Sequence, residues 1–238
     1  MSDQLDVLVL AAHPDDAEIG CGGTIARMVA AGSKVGVVDV TRGEAATRGD
    51  PETRAREAAA ASRVLGLTVR TNLGLPDGSV RADDAATEAV VAVIRRHRPA
   101  LLLAPLPIDA HPDHVAVADL ARRAFFHSGL RKLFDGAGEP NRPRLLARYY
   151  GNDFAVPSFC VDVGPHLETK RAAIRCYASQ FAAQAEGRAH YLRGLDPLER
   201  AEVRDRYFGA LCGKSAAEPF AVDGPFALDA VALLIGVR

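Results

Sequence analysis

The chain has 238 residues, with 29 Lys and Arg against 30 Asp and Glu for a net charge of −1, and is 48% apolar and 25% charged. That length buries a core without disulfides or a structural metal, and the composition is that of a folded rather than a disordered chain. The balanced charge excludes the global basic field that nucleic acid or an anionic membrane surface would require.

No apolar run reaches the roughly 18 residues of a spanning helix. Residues Met1 to Asp6 lack the basic-then-apolar order of a signal peptide. The expectation is a cytoplasmic protein without nucleic-acid or membrane partners, folded as a single domain over 1–238. Cys21, Cys160, Cys176 and Cys212 are dispersed, with no C-x-x-C pair. A metal, if bound, must therefore take its ligands from His and carboxylate side chains.

In chain order, Asp6–Ala12, Lys34–Val40 and Ala100–Ala104 are short, nearly continuous apolar runs. This is the pattern of strands buried on both faces of a parallel sheet. Between them, Gly22–Ala31, Pro51–Leu65 and Asp83–His97 are Ala-rich, with apolar residues at helical spacing. Asp50 is placed to cap the second of these helices and Pro51 to open its first turn. The turn-rich segment Gly136–Pro143 reads as a surface loop. Strand-like pieces follow at Leu145–Tyr150 and Phe159–Val163, then helical stretches around Leu167–Ser179 and Pro197–Leu211.

Alternating strands and helices predict right-handed crossovers. The fold class is α/β, a Rossmann-like three-layer sandwich with a mostly parallel sheet. Sites in such sheets form where loops leave the carboxyl ends of strands, and two histidine-bearing segments occupy such loops.

The first is His13-Pro14-Asp15-Asp16, directly after the first strand. A His and an Asp three residues apart can share one divalent ion and leave Asp15 to handle protons. An Asp in that place is also an ordinary helix cap. The second is His111-Pro112-Asp113-His114, where three-residue spacing puts both histidines on neighbouring positions of one helical face. If the first and fourth strands pair about a switch point, the loops face each other and form a two-His, one-Asp site. That donor set suits Zn²⁺, and Fe²⁺ uses the same donors.

His97, His127, His166 and His190 read as structural or solvated side chains. Gly20-Cys21-Gly22-Gly23 could receive a phosphate at a helix start, so a nucleotide-binding module is the alternative from another class. The dinucleotide spacing G-x-G-x-x-G is absent, and close helix packing is the competing role. Thr41–Glu44, Arg54 and Glu57 add charges near the same sheet edge, either as solvated helix charges or as a clamp for a substrate carboxylate.

With these residues in hand, the chain resembles the LmbE-like (PIG-L) superfamily of zinc-dependent N-acetylglucosamine deacetylases. Ala12–Gly20 and His111–His114 match its two signatures, in order and about a hundred residues apart. Gly22–Thr24, Thr41–Glu44, Asn72–Gly78, Phe125–Lys132 and Tyr177–Phe181 look like one branch, the bacillithiol-biosynthesis deacetylases that act on N-acetylglucosaminyl-malate. His127 departs from that branch's pattern.

The resemblance implies an N-deacetylase acting on a small-molecule N-acetylglucosaminide. It implies that His13, Asp16 and His114 hold Zn²⁺ and that Asp15 is the base. His111 would assist in protonated form, supported by Asp113, and Arg54 would contact the acidic aglycone. A homo-oligomer, trimer or hexamer, is also implied. Other amide substrates within the reading are a mycothiol-like conjugate or a chitooligosaccharide.

Overall fold

The computed structural model describes residues 4–181 and 196–225. Strand β1 (Val7–Ala11) leads into helix α1 (Asp16–Ala30), followed by β2 (Val35–Asp39), α2 (Pro51–Leu65) and β3 (Val69–Asn72). Then come α3 (Asp84–His97), β4 (Leu101–Pro105), α4 (Pro112–His127), β5 (Leu145–Tyr149) and β6 (Phe159–Asp162). Helices α5 (Leu167–Arg175), α6 (Ala178–Phe181) and α7 (Pro197–Leu211) precede β7 (Ala217–Val222).

Among the described residues the strands form one sheet in the order β3-β2-β1-β4-β5-β7-β6. The first five run parallel, and β7 is antiparallel to both β5 and β6. The fold is therefore the α/β sandwich expected. After β3 the chain crosses to the far side of β1, and β1 pairs directly with β4 through Val7↔Leu101, Leu8↔Leu102 and Val9↔Leu103. This reversal is the switch point, and it sets the loops after β1 and β4 side by side.

Alternate side chains of each strand feed opposite faces. Leu8, Leu10, Val38, Leu102 and Leu146 pack with Val90, Val91 and Ile94 of α3 and Val117, Leu120 and Ala121 of α4. Val7, Val9, Val35, Val37, Leu103 and Tyr149 pack with Cys21 and Ile25 of α1, Ala58, Ala61 and Leu65 of α2, and Ala173 of α5. Full burial of each Val or Leu contributes about 1.5–3 kcal/mol, so both layers hold the sheet edge rigid beneath the loops.

Local chemistry sets the helix starts. Asp50, Asp83 and Asp196 each accept the backbone N–H three residues on, from Thr53, Ala86 and Glu199, and such a cap is worth about 1 kcal/mol.

Two expectations about elements need correction. The first helix starts at Asp16 rather than Gly22, but Cys21 has non-helical dihedrals (φ −145°, ψ 23°) that break it. The glycines looked like a helix start because they follow that break. Gly20 serves the competing role, the close packing of α1 on β5, because a Cβ at that position would run into the Tyr149 ring. In addition, β3 and β7 belong to the sheet although the apolar pattern did not reveal them.

Candidate metal centre and active site

β1 delivers the chain into a tight turn in which Asp16 Oδ2 accepts the His13 backbone N–H at 2.8 Å. Between them Asp15 has φ 121°, ψ −26°. A non-glycine residue held there costs on the order of 1–3 kcal/mol, and such strain persists where the surroundings enforce it. Here they do. Arg54, buried on α2, donates from Nε and Nη2 to the Pro14 carbonyl at 3.1 and 2.8 Å, and its Nη2 lies 3.0 Å from Asp15 Oδ2.

On the other side of the switch point, Pro112 opens α4 and the ring of His111 caps it. His111 Nδ1 accepts the Asp113 backbone N–H at 3.2 Å. That nitrogen therefore carries no proton, and in the neutral ring the proton sits on Nε2.

The two loops meet. His13 Nδ1 is 3.2 Å from Asp16 Oδ2, and His114 Nε2 is 3.2 Å from Asp16 Oδ1. The three imidazole rings of His13, His111 and His114 lie with centroids 4.7 to 5.5 Å apart. One donor atom from each of His13, Asp16 and His114 falls within 4.8 Å of the others, and the set His13, His111 and Asp113 meets the same limit.

The donor chemistry separates the two sets. Both oxygens of Asp113 are engaged by backbone N–H groups, of Gly78 at 2.7 Å and Val80 at 3.1 Å. The oxygens of Asp16 face one imidazole nitrogen each, and only Oδ2 also accepts a backbone N–H. The first set thus offers two nitrogens and a carboxylate converging on one point, which fits a divalent cation of the zinc or iron(II) type.

The electrostatics fit as well. Burial by itself would depress the His13 imidazolium, but the carboxylates of Asp113, Asp16 and Asp77 outweigh it and push the pKa up to about 12. For His114 the same contest, with Asp16 and Asp109 opposing burial, ends at about 10. Burial would raise Asp16, yet His114 and His13 hold it well below the ordinary carboxylate range. In the metal-free chain two imidazolium ions occupy a basin of carboxylates, a field that favours concentrated positive charge.

Asp15 behaves differently. Burial raises its pKa to about 7, against the pull of the Arg54 guanidinium.

Three residues to which the sequence reading gave no role brace the donors. Asp77 Oδ1 lies 2.9 Å from His13 Nε2 and its other oxygen accepts the Ala45 N–H. Asp109 Oδ2 lies 3.1 Å from His114 Nδ1. Asn152, from the loop after β5, donates to Asp109. A carboxylate two residues before a histidine motif is a usable sequence signal for Asp109, and Asp77 falls in the Asn72–Gly78 motif, whereas Asn152 is brought in by the fold alone.

The structure places Arg54, expected to contact an acidic aglycone, facing inward: its side chain is 7% exposed and its bonds go to Pro14 and Asp15. At His111, Asp113 pulls the pKa upward as expected, while burial and, in the metal-free chain, the charges on His13 and His114 lower it on balance. The cause is position, since the Asp113 carboxylate turns towards Gly78, Val80 and His13.

His97, His127 and His166 are not among the clustered donors, and His190 lies outside the described residues. Among the described residues no helix is long and apolar enough to cross a membrane.

Comparison with known proteins agrees with this geometry. Residues 8–125 match the family model described as PIG-L, GlcNAc-PI de-N-acetylase. A 1D-myo-inositol 2-acetamido-2-deoxy-alpha-D-glucopyranoside deacetylase of Thermobispora bispora is 31% identical, over 73% of this chain and 78% of its own. The crystal structure of a conserved protein from Thermus thermophilus superposes with a TM-score of 0.85 at 41% identity, covering 94% of this chain and 97% of that one. The N,N'-diacetylchitobiose deacetylase from Pyrococcus horikoshii gives 0.78 at 25% identity, over 91% and 83%. With its two histidine loops meeting at the switch point and relatives of this kind along most of its length, the chain belongs to the PIG-L (LmbE-like) family of deacetylases.

Proposed function

We propose that the protein hydrolyses the acetamide of an N-acetylglucosaminide, releasing acetate and a free amine. The observation that carries this reading is the convergence of His13 Nδ1 and His114 Nε2 on the two oxygens of Asp16, with the buried carboxyl of Asp15 beside them. A divalent ion held by His13, Asp16 and His114 would acidify a water molecule and polarise the amide carbonyl.

The chain's own residues supply the rest. Asp15 accepts the proton from the attacking water, and burial tunes its basicity towards neutral pH. Arg54 holds that carboxylate in place and keeps it ionised. His111, neutral with its proton on Nε2, donates a hydrogen bond to the oxygen on which negative charge develops. Protonated Asp15 then passes its proton to the departing amine.

Within this substrate class, the branch motifs favour the malate glycoside of bacillithiol synthesis. The named relatives act on an inositol glycoside and on diacetylchitobiose. With Arg54 turned inward, the reading of an acidic aglycone rests on those motifs alone. The test is acetate release by zinc-loaded protein from N-acetylglucosaminyl-malate, N-acetylglucosaminyl-inositol and diacetylchitobiose, compared by kcat/KM. Turnover of at least one is expected, with the malate glycoside ranked first; no acetate from any of the three would overturn the deacetylase reading.

The role given to Arg54 has its own signature. A cation within about 4 Å lowers a carboxylate pKa by roughly 1–3 units, so Arg54→Met should raise that of Asp15. The acid limb of the kcat/KM profile should move to higher pH by about one unit or more, with the largest loss below neutrality. A substrate clamp would instead raise KM at every pH.

A further inference from the structure

Asp109 is buried, its side chain 1% exposed, and four donors surround it. Its Oδ1 accepts the His111 backbone N–H at 2.8 Å and Asn152 Nδ2 at 2.9 Å. Its Oδ2 accepts the Asn152 backbone N–H at 2.9 Å and lies 3.1 Å from His114 Nδ1. The last pair is out of line for a full hydrogen bond, and Nδ1 of His114 makes no other. Asp109 is thus the acceptor set beside the ring nitrogen that faces away from Asp16.

The neighbouring backbone is shaped for this contact. A Cβ on Gly151 would come within 2.5 Å of Asp109 Oδ2 and 3.2 Å of His114 Nδ1. The loop after β5 can lie against the pair only because residue 151 has no side chain.

We propose that Asp109, clamped by Asn152 and given room by Gly151, is a positioning residue that fixes the tautomer and orientation of His114 for metal binding. Holding the ring proton on Nδ1 leaves the Nε2 lone pair directed at the Asp16 side, where the ion is proposed to sit. A carboxylate in this relation to a ligating histidine orients the ring and strengthens it as a donor, and losing such a partner costs about 10- to 100-fold in metal affinity. The inference rests on the metal reading given under Proposed function.

The test uses the full-length chain and Zn²⁺ alone. Zinc Kd is measured by competition with a chelator, and the His114 tautomer by nitrogen-15 NMR of the imidazoles in metal-free protein held above the His114 pKa of about 10, where the ring is neutral and carries one proton. Asp109→Asn places an amide where His114 expects an acceptor. It should weaken zinc binding about 10- to 100-fold and move the His114 proton from Nδ1 to Nε2, with KM at saturating zinc little changed. Gly151→Ala displaces Asp109 without altering its charge, should act in the same direction, and answers the question if Asp109→Asn fails to fold.

A residue that only braces two loops would lower the melting temperature and leave zinc Kd and the tautomer as in wild type; that result in either folded variant overturns the proposal. Failure of the wild-type protein itself to bind Zn²⁺ would overturn the metal reading on which it stands.

Discussion

Replacing Asp15 by asparagine is expected to lower kcat by about 10²- to 10⁴-fold, the usual contribution of a positioned general base, while zinc stays bound. The substitution keeps the size of the side chain and removes its ability to take a proton. It also removes the partner of Arg54, whose guanidinium retains the Pro14 carbonyl, so the loop remains anchored. Stability should fall little, because asparagine matches aspartate in size and bears the same backbone strain at φ 121°, and the Arg54 anchor on Pro14 remains. Metal content per chain and turnover measured on the same sample check the prediction. A zinc-replete Asp15→Asn protein with wild-type kinetics would remove Asp15 from the role of base.

His114→Ala, by contrast, should weaken zinc binding by more than about a hundredfold, beyond the loss of an outer partner, and abolish activity through metal loss. His13→Ala should do the same. Proton accounting provides a second readout. In the metal-free chain the His13 and His114 pKa values lie near 12 and 10, so at pH 8 both rings are protonated. Binding must release about two protons, and isothermal titration in buffers of different ionisation enthalpy measures that number. His114→Ala should reduce it to about one for whatever binding remains.

The sign of the accompanying stability term follows from the same shifts. Both folded-state values are raised above the ordinary 6.5. Their contribution is full below that value and is lost as pH rises through about 10 and then about 12.

Much of this architecture was legible in the sequence, and the limits have physical causes. β1, β2 and β4 are buried on both faces, so their apolar runs stand out. The edge strand β3, with Arg70, Thr71 and Asn72, is half exposed and shows no such run. β7 carries Glu218 and Pro219, yet Glu218 is wholly buried. Its charge is compensated by Lys170 Nζ at 2.6 Å and by the backbone N–H groups of Gly23 and Thr24, partners no local pattern predicts.

The donors of the site were readable because short loops carry them at fixed spacing. The reach of Arg54 was not, since a buried arginine and an exposed one look the same in a helical stretch. The state of His111 depends on two neighbouring histidine charges, which only the folded loop reveals.

The break in α1 separates the motif from the site it helps to build. Residues Asp16 to Gly20 form a short first turn. Arg204 of α7 binds the Ile19 and Gly20 carbonyls at its end, and Glu218 of β7 caps the stretch that resumes at Gly23 and Thr24. Lys170 of α5 joins the two through Glu218 and Asp205. Every proposed ligand lies within residues 8–125, the part that matches the family model, but the struts that hold the break just after the first loop come from beyond residue 160. A chain can therefore carry both signature motifs intact and still lack a working centre, and inheritance of the motif is a weaker guide to activity than inheritance of its buried charged scaffold.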